Sequence, residues 1–233
     1  MAEEGLRIAE TVQNPFSLIE ACYGASLVYR RQGEVQRAIP MLERAIGLCQ
    51  DWPIPLLWPG QAAALGLAYA LEGRVAAGLA LVEQGMEQAV TRGRSRRLPS
   101  MVAWLSEAYL LAGRLEDAHA RATQAVDLAR QYQQRGAQAW ALWILGENTA
   151  RQAFPESEPA ASHYRQALSL AEELGMRPLQ AHCHRGLGTL YAQIDQPEQA
   201  RTELSTAIEL YRAMAMPFWL QETEALLAQV DAG

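Results

Sequence analysis

The chain has 233 residues, half of them hydrophobic, and a formal net charge of −6 at pH 7. That length and apolar content suffice for one continuous hydrophobic core. The acidic balance argues against nucleic acid or an anionic membrane surface as the main partner. All 20 basic residues are arginines, which excludes a P-loop lysine and Schiff-base chemistry.

The sequence shows neither a targeting signal nor a cysteine spacing typical of disulfides. The first ten residues carry acidic side chains and no apolar run, and no stretch of 18 uninterrupted apolar residues occurs. The odd set of Cys22, Cys49 and Cys183 contains no CxxC, so we expect buried cysteines on helices rather than disulfides. These features predict a cytoplasmic protein without a membrane partner.

Residues 182–214 contain the clearest copy of a recurring unit. Gly188 and Tyr191 stand three residues apart on a first predicted helix, a turn follows around Asp195, and Pro197 begins a second helix. The second helix carries a stripe of small and apolar residues at spacings of four and three, namely Ala200, Leu204 and Ala207. The pattern predicts a helical hairpin whose helices approach closely.

The same unit recurs upstream, marked by a tyrosine. Tyr29, Tyr69, Tyr109 and Tyr191 are separated by 40, 40 and 82 residues, and Thr149 stands where a fourth tyrosine belongs. The second copy has glycines where alanine would form a better helix, which predicts close packing there, at Gly66, Gly78 and Gly85. Pro40 lies inside a predicted second helix, which we expect to be kinked or delayed in its start.

This periodicity predicts one all-α domain over residues 1–233. Its form would be a right-handed superhelical solenoid of about five hairpins with terminal capping helices. The predicted boundaries are a partial repeat at 1–14, repeats at 15–54, 55–94, 95–135, 136–176 and 177–215, and a capping helix at 216–233. The apolar side chains of residues 1–14 have no partner on their N-terminal side. We therefore expect a longer parent chain, or contact with another molecule such as a second copy.

The hairpin pattern resembles the tetratricopeptide repeat, although a period of 40 is also typical of HEAT arrays. The combination of small-x-x-Tyr, a glycine turn and Ala-x-x-x-Leu-x-x-Ala favours tetratricopeptide units extended by about one turn. Residues 176–191, 207–214 and 217–230 are similar to the C-terminal repeat region of bacterial signalling proteins. In those proteins, which include MalT-like regulators, a cyclase or transcription-factor domain is joined to a STAND-type ATPase. The resemblance implies a sensor or scaffold arm.

Catalytic and metal-binding patterns are not found in the sequence. It contains no GxSxG, HExxH or paired-carboxylate signature, so we predict that the chain is not an enzyme and holds no cofactor or metal. Neighbouring side chains on a helix diverge by about 100°, so His182 and His184 point to nearly opposite sides and cannot share a zinc ion. We expect His184 to pack inside and His182 to face outward.

An arginine-rich segment lies between two predicted helices, with Arg92, Arg94, Arg96 and Arg97. We interpret it as a solvated loop at a helix C-terminus, with an anion or acidic-partner site as the alternative. RNA binding is not expected, because no aromatic residues interleave the arginines.

The candidate binding surface is the concave face formed by the first helices of the repeats. The resemblance to tetratricopeptide proteins implies that ligand-facing side chains lie beside the small-residue and tyrosine stripe. The same offsets here give Tyr23, Leu27, Arg30, Leu67, Glu107, Trp140, Trp143, Glu147, Arg151, His182 and Arg185. Trp140 and Trp143 share a helix face with Glu147 and Arg151, which predicts an aromatic patch with charged edges. The alternative is that these tryptophans fill the core between repeats.

The leading functional hypothesis is a scaffold that binds a peptide or a partner domain in this groove. A second hypothesis is a small-molecule-sensing module of a transcriptional regulator or STAND ATPase. A third is self-association through the N-terminal helix.

Overall fold

The computed structural model describes residues 2–52, 54–93, 96–152 and 157–232. Within these ranges the chain forms twelve helices and no strand, which confirms the all-α prediction. The helices are α1 (Ala2–Val12), α2 (Pro15–Arg31), α3 (Val35–Asp51), α4 (Trp58–Leu71), α5 (Val75–Thr91), α6 (Leu98–Leu111), α7 (Leu115–Gln131), α8 (Arg135–Gln152), α9 (Ser157–Glu173), α10 (Arg177–Gln193), α11 (Pro197–Ala213) and α12 (Pro217–Ala232). Among these helices, none combines the length and the hydrophobicity that crossing a membrane requires.

Contacts between helices divide the chain into two compact units, which we call unit 1 (1–114) and unit 2 (115–233). In unit 1 the first helices of the repeats, α2, α4 and α6, lie next to one another in that order. In unit 2 the corresponding helices are α8, α10 and α12. The single solenoid and its right-handed superhelix remain predictions.

A common turn closes the first helix of four repeats. The residue in the turn has a positive φ in each case, at Gly33, Gly73, Gly113 and Asp195. The next N–H then bonds back to the carbonyl of the repeat tyrosine, as in Arg74 N–H to Tyr69 O at 2.8 Å. This is the left-handed C-terminal cap in which glycine costs least.

The repeat tyrosines also join consecutive repeats. In three repeats the tyrosine hydroxyl donates to a glutamate 26 residues earlier, on the second helix of the preceding repeat. The pairs are Tyr29–Glu3 (3.1 Å), Tyr69–Glu43 (2.7 Å) and Tyr109–Glu83 (2.7 Å). Tyr191 instead accepts from Arg165, again 26 residues earlier, at 3.0 Å. Thr149, in the place of the missing tyrosine, donates to the carbonyl of Leu145.

The glycines of the second repeat lie at a close helix contact, as predicted. A Cβ built on Gly66 would lie 2.6 Å from the carbonyl oxygen of Gly78 and 2.8 Å from the backbone nitrogen of Val82. The prediction that Pro40 delays the start of its helix is wrong, because α3 is helical from Val35 to Asp51 with the proline inside it. Pro40 has no N–H to donate to the carbonyl of Gln36, so one hydrogen bond of the first turn is missing and the helix continues past it.

The three cysteines are buried thiols, as predicted. Burial raises the pKa of the Cys49 thiol to about 11, so it stays protonated at neutral pH. The thiols therefore act as small apolar side chains of the core.

Candidate functional site

In unit 1, side chains of α2 and α6 meet across the middle helix, α4. The guanidinium of Arg30 lies 5.1 Å from the ring of Trp104, and its Nη1 lies 3.7 Å from a carboxylate oxygen of Glu107. The rings of Tyr23 and Trp104 are 6.4 Å apart. The first-helix face of unit 1 is thus filled by side chains of the chain itself.

The prediction that Leu67 faces a ligand is wrong. Its side chain is fully buried, at 0% exposure. It lies on α4, a helix rich in alanine and glycine with 11 buried residues out of 14. Leu67 is therefore part of the packed interior of unit 1 and does not reach its surface.

Two adjacent arginines of α2 are desolvated. Burial lowers the pKa of Arg30, while the neighbouring Glu107 charge partly offsets the effect. Burial also lowers the pKa of Arg31 to about 10, with a further contribution from the charge of Arg30. Both stay protonated at neutral pH, and their fields are less screened than those of exposed cations.

In unit 2, aromatic rings from α8, α10 and α12 form a cluster that we call the tryptophan surface. It consists of Trp140, Trp143, His182, Arg185 and Trp219. The His182 ring lies 5.8 Å from Trp140, 5.6 Å from Trp143 and 4.9 Å from Trp219. Trp140 and Trp143 contact each other edge to face at 5.7 Å, a favourable aromatic arrangement.

The predicted orientations of the two histidines of α10 are wrong. His182 is buried, at 5% exposure, and its Nδ1 lies 2.7 Å from the hydroxyl of Tyr211 on α11. His184 is only partly buried, and its Nδ1 lies 2.6 Å from a carboxylate oxygen of Glu203. Their partners differ, and no cluster of three or more metal-ligand side chains occurs within the described ranges.

Two donors of the tryptophan surface are buried without an acceptor among the described residues. They are the indole N–H of Trp143 and the Nε–H of Arg185. The Arg185 guanidinium lies 5.3 Å from the Trp219 ring. A buried donor without an acceptor costs about 1–3 kcal/mol, so a bound acceptor would be stabilised here.

Glu147 and Arg151, the charged residues predicted beside the tryptophans, contact each other, and Glu147 also contacts Tyr164. Glu147 accepts a hydrogen bond from the Tyr164 hydroxyl at 2.7 Å, and Arg151 lies 3.5 Å from the same carboxylate. Burial, followed by the charge of Glu147, raises the pKa of Tyr164 well above its usual range. Trp143 is partly buried against the core around Tyr164 and Leu187, so this tryptophan serves both the core and the surface.

Two arginines of the arginine-rich segment, Arg92 and Arg97, form contacts within unit 1. Arg92 donates to the carbonyl of Pro55 at 2.6 Å, and Arg97 pairs with Glu20 at 2.6 Å. Arg94 lies outside the described residues. The solvated-loop interpretation is therefore wrong for Arg97, whose guanidinium also lies 4.4 Å from the Tyr23 ring.

Residues 19–51, within the first predicted repeat, match the family model described as tetratricopeptide repeat. A comparison with curated proteins gives no match.

Solved structures share the fold at low sequence identity. BtubC (BKLC) from P. vanneervenii has 17% identity and a TM-score of 0.62 over 92% of this chain and 88% of that one. A STAND protein with a tetratricopeptide repeat sensor, from Pyrococcus horikoshii, has 15% identity and a TM-score of 0.62 over 97% of this chain. This chain spans only 35% of that protein. The Rap conjugation gene regulator of plasmid pLS20, solved with the Phr* peptide, has 12% identity and a TM-score of 0.58 over 98% and 73% of the two chains. These likenesses confirm the predicted tetratricopeptide-like fold.

Proposed function

We propose that this chain is a non-catalytic binding module that captures a peptide, or a segment of a partner domain, on the tryptophan surface of unit 2. The observation that carries the proposal is the cluster of three tryptophans around His182 with two buried donors that need acceptors. Tryptophan and arginine are the residue types that dominate binding hot spots.

The chemistry of this surface defines the segment that it would bind. The indole rings favour an apolar or aromatic side chain, and the donors of Trp143 and Arg185 favour a carbonyl or carboxylate oxygen. Glu147 and His182 are each held by a tyrosine hydroxyl, which gives them a structural role. The preferred segment therefore places an acceptor group beside an aromatic or large aliphatic residue.

The comparisons support a regulatory setting. One protein of similar fold is solved with a bound peptide, and another carries its repeats as the sensor of a STAND protein. By analogy of fold, we propose that this chain is the sensor or regulatory arm of a larger bacterial signalling protein in the cytoplasm.

The test is selection of peptides from a random library on the intact chain, followed by affinity measurements with the selected peptides. We expect Trp140→Ala and Arg185→Ala to weaken binding at least about tenfold, equivalent to about 1.4 kcal/mol. Trp143→Phe keeps an apolar ring in the core but removes the indole donor, so it should weaken binding while the helical circular dichroism is unchanged.

The matched control is Trp52→Ala, which removes a tryptophan that is 53% exposed at the end of α3 in unit 1. This variant should bind the selected peptides as the wild type does. Peptides that bind all four variants with equal affinity would exclude the tryptophan surface as the site.

Self-association through α1 is a second proposal. Its side chains Ile8 and Val12 are 51% and 61% exposed, which is high for apolar residues on a helix. Light scattering should then detect a dimer that Ile8→Glu with Val12→Glu dissociates. A strict monomer at high protein concentration would remove this proposal.

A further inference from the structure

Unit 1 contains a cavity of about 290 Å³ at the N-terminal ends of its first helices. Its walls include Phe16 of α2, Leu57 before α4 and Met101 of α6. Leu57 and Met101 are buried, whereas Phe16 is 47% exposed and forms part of the rim. The unit 1 cavity therefore has an apolar interior that is open at one side.

One end of the unit 1 cavity is polar. Glu20, Arg96 and Arg97 line the cavity, and the Nη2 of Arg97 donates to Oε2 of Glu20 at 2.6 Å. The other oxygen, Oε1, is buried and accepts no hydrogen bond from the described residues. A carboxylate oxygen in this position requires a donor, and a cationic donor would be the most stabilising.

The position of the arginine depends on a glycine of α4. A Cβ built on Gly60 would lie 2.9 Å from Nη1 of Arg97, so the guanidinium lies directly against the backbone of the helix. The guanidinium also lies over the Tyr23 ring, with Cζ 4.4 Å from the ring centre. A guanidinium has five N–H donors, and one of those of Arg97 is bonded to Glu20.

We propose that the unit 1 cavity binds an aliphatic α-amino acid group. The α-ammonium donates to Oε1 of Glu20, and the adjacent carboxylate or carbonyl oxygen accepts from Arg97. The aliphatic side chain lies against Phe16, Leu57 and Met101. The volume is near the lower end of the range for small-ligand sites, about 300–1,000 Å³, which suits a single amino acid residue.

The proposed ligand group can come from a free amino acid or from the N-terminal residue of a peptide. Both present an ammonium beside a carbonyl carbon and an aliphatic side chain. The site is formed entirely by residues of unit 1, so it does not depend on the tryptophan surface. A small-molecule role for unit 1 and peptide capture by unit 2 are separately testable.

The experiment is calorimetric titration of the intact chain with L-leucine, Leu-Gly-Gly and N-acetyl-leucine. We expect saturable binding of leucine or of the tripeptide, and binding of N-acetyl-leucine that is at least about tenfold weaker, because acetylation removes the ammonium. Tighter binding of leucine identifies a free amino acid as the source, and tighter binding of the tripeptide identifies a peptide N-terminus.

Two variants test the assigned contacts. Glu20→Gln removes the charge that holds the ammonium, and Gly60→Ala displaces the guanidinium of Arg97, so each should weaken binding at least about tenfold. The control is Glu10→Gln. The carboxylate of Glu10 pairs with Arg44 at a distance of 2.6 Å, and this pair is not part of the cavity. Unchanged circular dichroism checks the fold of each variant.

Three results would overturn the proposal. The first is the absence of saturable binding for both L-leucine and Leu-Gly-Gly. The second is an affinity for N-acetyl-leucine equal to that for L-leucine or Leu-Gly-Gly. The third is wild-type affinity in the folded variants Glu20→Gln and Gly60→Ala.

Discussion

Tyr69 and Tyr109 each form the centre of a contact between repeats. Their hydroxyls donate to glutamates of the preceding repeat, at 2.7 Å in both cases. An arginine five residues further on lies over each ring, Arg74 at 3.6 Å and Arg114 at 4.3 Å. The tyrosine thus combines a hydrogen bond to a carboxylate with a cation–π contact, and one residue type links successive hairpins.

Replacement of Tyr109 by phenylalanine tests the hydroxyl of this contact. The ring and its contact with the arginine remain, whereas the bond to Glu83 is lost. We expect the free energy of unfolding to fall by about 1–2 kcal/mol, measured by urea denaturation.

The control for this change is Tyr132→Phe, because Tyr132 is 38% exposed at the end of α7. That variant should change stability by less than about 0.5 kcal/mol. Equal stability of both variants and the wild type would show that the tyrosine–glutamate bond contributes nothing.

The sequence predicts that these tyrosines mark the repeats, but it does not predict all of the residues that they contact. Their 40-residue period is visible, because a large polar aromatic residue is conspicuous among small ones. The glutamate partners follow the same period, but an acidic residue on a helix face is usually solvated and gives no separate signal. The burial of His182 could not be predicted, since it depends on Tyr211, 29 residues away on another helix.

The two helices of the second repeat, α4 and α5, pack closely, as the glycines in the sequence predict. The glycines of this hairpin permit backbone-to-backbone approach, as the position of Gly66 against Gly78 illustrates. Helix propensity is lowered at Gly66, Gly78 and Gly85 of this repeat, and close packing of the two helices is what the glycines permit.

Gly66→Ala should destabilise the chain by about 1–3 kcal/mol, because the added methyl group meets backbone atoms that cannot rotate away. Thermal and urea unfolding both measure the change. Gly47→Ala is the matched control, since Gly47 lies inside α3 and a Cβ there would meet nothing within 4 Å.

The control variant should be more stable than the wild type, by about 0.5–1 kcal/mol, because alanine is the better helix former. We therefore expect the free energy of unfolding to fall in Gly66→Ala and to rise in Gly47→Ala. Two stabilising substitutions would contradict the close contact between α4 and α5.

The first helices of the repeats are not equally exposed. A single offset carried through every repeat predicts one continuous binding face only if each first helix is exposed to the same extent. In α4 the residue at this offset, Leu67, is fully buried, whereas Tyr23 and Trp104 of the flanking helices bring their rings to within 6.4 Å of each other. Exposure therefore depends on the side chains of neighbouring repeats, which a single-repeat pattern does not contain.

At the scale of the molecule, each unit has its own candidate site. Unit 1 contains the cavity with Glu20 and Arg97, and unit 2 contains the tryptophan surface. The hairpins follow from the period of the sequence, but the partner does not, because this fold is shared by proteins with different roles.

Peptide capture on the tryptophan surface can be tested by hydrogen–deuterium exchange on the intact chain, with and without a library-selected peptide. We expect slower exchange on peptide binding in α8, α10 and α12, concentrated near Trp140, Arg185 and Trp219, because ordering a surface reduces local opening. Protection confined to unit 1, or protection that persists in the Trp140→Ala variant, would contradict it.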